Sequence, residues 1–532
     1  MAYLHRDPTP DDYKQKGGRK TKPTGQSGGI EDVTRTKKST NEKSASKKGL
    51  TRDTTLSDDQ GNEMRAIDVF AEAIGYMKNH LTKSLEETGY EIREEEIAWV
   101  ITIPAIWDPK SKQFMREAAE QGGIKDHQLQ FALEPEAASV YLKEVSVERT
   151  QMTESMEAAL TAFSPGTKYL VLDLGGGTID ITARMVTEDR TLRELHHATG
   201  NGHGGNSVND NIYDFLKELF GSDVMAEFQH DSRYSSEYLD LDQEIETKKR
   251  AVKDELETQK VMTLTIPAQL LELFEEKNDK DFEAHFQTVK GDRNLLLKGN
   301  RLRVDFKTVY GFFQPSLKAI VNDTDRVLQH KDCKDITKII LVGGFAESKI
   351  VSACIKKHYD NMTVVIPQDP GLAVLKGAVI YRHWPEVVSY RKCPHTYGSR
   401  LMRYFLKDFD DQSKLKMVRG QPVCLDVFGK FVTIDTEFET NQTCDSLEVF
   451  PLRPDDTEMT VFIYKTDAED ARYVTDDGCT YLGKIKVDMP DTTGGLDRKV
   501  ILTLTLGQTE IVVKGKHWPN GKEATVEFDW LS

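Results

Sequence analysis

No run in the chain comes near the ~20 consecutive apolar residues that a membrane-spanning helix needs, and the N-terminal residues carry no apolar, leader-like core. Cysteine is scarce and scattered. The six cysteines (Cys333, Cys354, Cys393, Cys424, Cys444 and Cys479) form no Cys-x-x-Cys and have no neighbouring histidine pair, so neither a zinc site nor a redox motif is supported. They read as reduced thiols, which makes the cytoplasm the expected compartment. Net positive charge is also missing: the balance is −16, which sets the folded part against nucleic acid or an anionic membrane as its main partner. There is no Gly-Lys-Ser/Thr, so a P-loop is excluded. What remains is ample for a globular protein. Hydrophobic residues make up 38% of 532, and at ~150 residues per domain that length implies about three or four domains.

The most informative stretch is 169–186, Tyr-Leu-Val-Leu-Asp-Leu-Gly-Gly-Gly-Thr-Ile-Asp-Ile-Thr-Ala-Arg-Met-Val. A buried strand runs into three glycines, and then Ile179, Ile181 and Ala183 alternate with Asp180, Thr182 and Arg184, which predicts a β-hairpin with a glycine tip. Gly175, Gly176 and Gly177 have no Cβ, so their amides can converge on an anion that approaches the backbone closely. Asp173 and Asp180 flank the tip with carboxylates suited to a hydrated divalent cation, and Thr178 offers a hydroxyl to a terminal phosphate. The plain alternative is an ordinary hairpin turn, which needs only one or two such residues. Because the turn leads into a strand rather than a helix, it is not a dinucleotide fingerprint.

Along the chain, residues 1–49 are rich in Lys, Arg, Ser, Thr and Gly and nearly free of large apolar groups, which predicts a disordered, basic tail. Its small patch Arg35, Lys37 and Lys38 suits nuclear targeting or phosphate, or simply solvent. Apolar spacing predicts a helix over 66–85, a β-branched strand over 97–103 ending at Pro104, and a helix over 111–121 stopped by Gly122-Gly123. Glu134-Pro135 then joins a strand end to a helix start. Ligands bind at strand ends in open α/β sheets, so Glu134 is a candidate base toward water; a favourable charge at the helix N-terminus is the equal alternative. Residues 200–206 form a second glycine cluster ahead of a helix over 208–220. The helix over 243–259 pairs Glu244 with Lys248 and Glu246 with Arg250. A third strand, Ile339-Ile-Leu-Val, runs into Gly343-Gly344, and a last helix is expected over 372–383.

Taken together, Asp173-Leu-Gly-Gly-Gly-Thr-x-Asp180, Glu134-Pro-x-Ala-Ala138, Leu341-Val-Gly-Gly344 and Pro370-Gly-Leu-Ala-Val-Leu-Lys-Gly-Ala378 resemble the nucleotide-binding domain of the 70-kDa heat-shock chaperones, in the actin-like ATPase superfamily. Ile101-Thr-Ile-Pro-Ala-Ile-Trp-Asp and Gly343-Gly-Phe-Ala-Glu-Ser look most like its divergent 12A/12B branch. The resemblance covers roughly residues 49–532. It implies an α/β actin-like (ribonuclease-H-like) domain with ATP and Mg2+ as cofactors. Asp173 would then face the magnesium and its waters, Gly175, Gly176, Gly177 and Thr178 the phosphates, and Glu134 the attacking water. Glu246, Lys249 and Arg250 match adenosine and ribose contacts, Gly204, Gly205, Gly343 and Gly344 match close glycine approaches, and Pro104 matches a hinge. Glu134, Asp173 and Thr178 are the expected catalytic set and Asp173 the metal-facing residue. The chain departs from the family after the glycine pair, where Phe345 and Glu347 replace a Ser and an Arg.

The family's first phosphate hairpin, Asp-x-Gly-Thr-Thr, and its later catalytic lysine have no counterpart in residues 1–166. Two explanations compete: an incomplete version of a longer protein, which we favour, or a variant that has lost ATPase chemistry. Either predicts a half-sheet with an exposed edge and an uncovered apolar face. Over 389–532 short β-rich runs alternate with Asp, Gly and Pro turns, the pattern of a sandwich. The expected domains are thus a tail (1–50), a nucleotide-binding domain (51–388) and a lidless, substrate-binding-like β-sandwich (389–532). The second divides into an incomplete lobe I (51–168 with 369–388) and a lobe II (169–368). An ATP-binding, weakly hydrolysing or non-hydrolysing chaperone-like protein is the leading expectation, with ATP/ADP and client protein segments as partners. A non-catalytic scaffold retaining the fold is the alternative.

Overall fold

The computed structural model describes residues 2–4, 50–58, 61–89, 93–148, 163–252, 261–367, 369–444, 446–507, 509–518 and 525–531. Apart from 2–4 and Leu50, the expected basic tail lies outside the described residues, as do 253–259 of the expected charged helix. Mixed α/β sheets occupy the first part of the chain and a β-rich region the last. Among the described residues no helix is long and apolar enough to cross a membrane.

The larger α/β sheet has seven strands in the order Thr363–Val365, Lys338–Val342, Lys168–Leu174, Ile179–Val186, Leu192–Asn201, Val388–Lys392, Glu437–Glu439. Its central strands are apolar on both sides because both faces are covered. Leu170, Leu172 and Leu341 pack with Ile212, Phe313 and Ile320 of helices Gly205–Phe220 and Phe306–Leu328. Tyr169, Val171, Ile340 and Val342 point the other way, onto Ala137, Ala138, Ala373 and Ala378 of helices Glu134–Glu148 and Pro370–His383. These two helices nearly touch: a Cβ added at Gly377 would lie 1.6 Å from the Ala137 carbonyl oxygen.

The smaller α/β sheet, Ala2–Leu4, Ile97–Ile103 and Leu129–Leu133, differs from the expected half-sheet. Ala2–Leu4 pairs antiparallel along the edge of Ile97–Ile103. Neither face is bare. Ile97, Trp99 and Phe131 pack on Met115 and Ala119 of Pro109–Gln121 and on Phe70 and Ile74 of Ala66–Glu87, while Val100 and Ala132 join the Ala137 side. The helix Pro109–Gln121 starts on Asp108, whose carboxylate accepts from the Ser111 amide at 2.8 Å, with Pro109 in its first turn.

In the β-rich region Leu415–Val418, Gln421–Val432, Thr396–Tyr404, Glu458–Thr466 and Thr480–Asp488 form one sheet, and Lys499–Leu506 centres the other. Strict alternation points Val500, Leu502, Leu504 and Leu506 into a shared core with Tyr397, Ile463 and Val487. The single apolar run over 500–513 is two strands, because Gly507 and Glu510 close a turn. This region folds back on the first helices. Leu531 packs with Ile67 and Phe114, Arg52 bridges Glu117 and Asp529, and Arg116 pairs with Glu510.

Candidate functional site

The hairpin of Lys168–Leu174 and Ile179–Val186 is closed by the Gly175 amide donating to the Thr178 carbonyl at 2.9 Å. The helix Gly205–Phe220 sits on its tip: the Gly205 and Asn206 amides donate to the Gly175 and Gly176 carbonyls at 3.0 and 2.8 Å. At Gly204 an added Cβ would lie 2.5 Å from the Gly176 carbonyl oxygen. Gly343 is constrained twice. Its φ is +87°, and a Cβ there would lie 2.5 Å from both Asp173 Oδ1 and the Leu174 carbonyl oxygen. Its amide donates to the Pro370 carbonyl at 3.0 Å, which ties in the start of Pro370–His383.

Other glycines at this place are not crowded. A Cβ at Gly177, Gly202 or Gly344 would meet nothing within 4 Å. Three separated stretches therefore converge with their glycines packed on one side and opening onto free space on the other. That is the shape a backbone cradle for phosphate requires.

The flanking carboxylates divide their work. Asp173 and Asp180 are both buried. Asp180 is committed to the protein: it accepts from the Ile106 amide at 3.0 Å, which fastens the loop after Pro104 to the hairpin. Burial pushes its carboxyl upward, opposed by hydrogen bonds from Thr178, Ile106 and Ala105. Of the two carboxylates expected to face a cation, Asp180 thus has one oxygen occupied in tying two elements together. Among the described residues no three His, Cys, Asp or Glu side chains gather to hold a metal. A cation here would keep most of its water shell, as magnesium does. Glu134 is half-buried at the end of Leu129–Leu133, the first residue of a helix that packs across the hairpin strands.

On the other side of Gly205, helix Ser235–Ala251 supplies Glu246, Lys249 and Arg250. Lys249 is buried, donating to the Gly205 carbonyl at 3.0 Å and pairing with Glu246 at 2.6 Å. Asn209 and Arg250 also donate to Glu246, at 2.9 and 2.7 Å. Burial works against the Glu246 charge, but Lys249, Asn209 and Arg250 hold its carboxyl down to about 2. Phe345 is buried against Phe313, ring centroids 6.3 Å apart, and Glu347 is exposed beside Gly371. A separate cavity of about 570 Å³, lined by Lys290, Arg293, Asp305 and Lys307 among others, shares none of these residues.

Sequence reading missed a buried four-charge cluster beside the site. Arg391, on the strand Val388–Lys392, donates to both oxygens of Glu136 at 2.6 and 2.5 Å. Arg184 lies 3.6 Å from Glu136 and 4.0 Å from Glu194, and the Lys392 amide donates to Glu194 at 2.8 Å. Burial pushes the Glu194 carboxyl up, offset by the two arginines. The available signal was charge inside apolar runs, Arg184 in a buried strand and Glu136 ahead of Ala-Ala-Ser-Val.

No protein-family profile matches the chain. Curated proteins do. It is 28% identical over 533 residues to heat shock 70 kDa protein 12A of Homo sapiens and 27% over 533 residues to the Mus musculus protein of that name. It is 28% identical over 538 residues to heat shock 70 kDa protein 12B of Homo sapiens. Each alignment covers 91% of this chain and 78% of the relative.

Proposed function

Since the chain is heat shock 70 kDa protein 12A/12B-like, we propose that it is an ATP-binding, chaperone-like protein with an actin-like nucleotide domain. The observation that carries this reading is the packing of Gly175, Gly204 and Gly343 around one hairpin whose other side is open. In this reading Gly175, Gly176, Gly177 and Thr178 hold the phosphates through backbone amides and a hydroxyl, and Asp173 orients the waters of a magnesium ion. The metal supplies neutralisation of phosphate charge when bound. In the same reading Glu134 orients the attacking water, and Asp180 keeps the Pro104 loop in register with the hairpin.

The client side of the proposal rests on the β-rich region. Met402, Tyr404, Leu406, Phe409, Leu415 and Met417 are all exposed on or beside two strands of one sheet. Grouped apolar exposure of this kind is typical of surfaces that take extended apolar peptide.

A second reading, a non-catalytic scaffold with nucleotide as a structural ligand, draws on a different observation. Among the described residues the three-stranded sheet contributes no glycine hairpin facing Gly175–Thr178, so charge is placed around the phosphates mainly from one side. Phosphoryl transfer needs it from several. Calorimetry with Mg-ATP tests the shared core of both readings. Binding at micromolar Kd that Asp173→Ala weakens at least ~tenfold supports it; no heat from a folded chain refutes it.

A further inference from the structure

Resting on the nucleotide reading above, we propose that Lys249 and Glu246 are a positioning pair, which holds the start of helix Gly205–Phe220 on the hairpin and so keeps the phosphate cradle in shape, rather than contacts to the nucleotide's sugar. Both residues lie on helix Ser235–Ala251, three positions apart, and they reach the neighbouring helix at two points. Lys249 donates to the Gly205 carbonyl at 3.0 Å. One turn further along that helix, Asn209 donates to Glu246 at 2.9 Å. Lys249 and Glu246 are themselves joined at 2.6 Å, so the two contacts form one bracket.

The bracket grips the residue that touches the hairpin tip. The Gly205 amide donates to the Gly175 carbonyl, and the Asn206 amide to that of Gly176. The carbonyl of the same Gly205 is the atom Lys249 holds. Phe345 closes a third side: a Cβ added at Gly205 would lie 3.3 Å from its ring and 3.4 Å from Lys249 Nζ. Gly205 is thus fixed through its amide, its carbonyl and its Cα. The chemistry of the pair suits this task. An ammonium has three donors, and at Lys249, which is 5% exposed, at least two of them face protein acceptors. Both Glu246 oxygens already receive protein donors, Lys249 and Asn209 on Oε2 and Arg250 on Oε1. Because the packed backbone has no slack, a shift at Gly205 passes directly to the two hairpin carbonyls, and a displacement of an ångström in a binding backbone is costly.

Calorimetric binding of Mg-ATP, and of magnesium with inorganic tripolyphosphate, to the whole chain and to its Lys249→Met variant separates positioning from sugar contact, because tripolyphosphate has no sugar. The expected result is a loss of about tenfold for both ligands, equal within about threefold. The Gly205 and Asn206 amides of the unliganded variant should also exchange hydrogen faster than in the parent. A loss confined to Mg-ATP overturns the proposal in favour of a sugar contact and leaves the nucleotide reading standing. Unchanged affinity for both ligands in the folded variant overturns it as well. A parent chain that binds Mg-ATP but not tripolyphosphate has no working phosphate cradle for the pair to position, which again overturns the proposal alone. A parent chain that unfolds cooperatively and binds neither ligand overturns the nucleotide reading and the proposal together. If Lys249→Met does not fold, Lys249→Met with Glu246→Leu, which removes the pair as a unit, is judged by the same outcomes.

Discussion

The seven-stranded and three-stranded sheets share helices Glu134–Glu148 and Pro370–His383 between them but contribute unequally to the site. The larger sheet supplies the hairpin, the Asp173 carboxylate and, through Gly343, the close glycine contact. Among the described residues the smaller supplies Glu134 at a strand end and the Pro104–Ile106 loop, held by Asp180. On the nucleotide reading proposed above, the difference would make binding and catalysis separable. In that reading the glycine hairpin of the larger sheet would cradle the phosphates, while among the described residues few charged groups of the smaller sheet would surround a transferred phosphoryl group.

The largest effect is expected where the two halves are fastened. Arg391→Met leaves Glu136 buried without its two-point partner and should cost about 3–5 kcal/mol in urea denaturation, whereas Arg391→Met with Glu136→Leu should recover most of that loss. A cost under about 1 kcal/mol for the single change would show that the cluster does not fasten helix Glu134–Glu148 to the larger sheet. One glycine substitution made in two places sharpens the comparison. Gly377→Ala drives a methyl into the Ala137 backbone and should destabilise by about 2–3 kcal/mol or more. Gly177→Ala, which meets open space, should stay within about 0.5 kcal/mol by thermal melting yet weaken nucleotide binding.

The seam between the larger sheet and the β-rich region should respond to acid. His196 stacks on His197 at 4.3 Å and edge-on to His330 at 4.9 Å, and His197 Nδ1 lies 2.8 Å from Asp435 Oδ1. Burial, then His197 and His330, push His196 down to about 4, with Asp435 opposing. Between the ordinary histidine value and about 4 the unfolded chain binds a proton that the folded chain refuses, so stability falls as pH falls through that window. The cost is absent above it and complete below it. His196→Phe should flatten this part of the pH–stability curve relative to the parent; an unchanged slope contradicts the assignment. The smallest effect is expected at Glu134. Glu134→Gln should leave Mg-ATP affinity within about threefold and stability within about 0.5 kcal/mol, since Glu134 belongs to the sparse side.

The parts legible in sequence were those set by local chemistry. Three glycines between alternating strands announced the hairpin, and Gly122-Gly123 stopped a helix expected over 111–121 whose observed range is Pro109–Gln121. Strand Thr396–Tyr404 went unread because Gly398, Ser399, Arg400 and Arg403 break the apolar alternation; its place is fixed by pairing with Gln421–Val432 and Glu458–Thr466. The Arg391–Glu136 pair joins residues 255 positions apart, and no local pattern encodes such a contact. Val388–Lys392, at the expected boundary between the nucleotide-binding and β-sandwich parts, is a strand of the larger sheet, parallel to Leu192–Asn201.

Hydrogen exchange with and without Mg-ATP tests the central claim most directly, because amides that close on phosphate exchange more slowly. The account predicts added protection over residues 173–180, 204–209 and 343–347, with little change over 129–134. Equal exchange at the hairpin in both conditions, or protection confined to the smaller sheet, would contradict it.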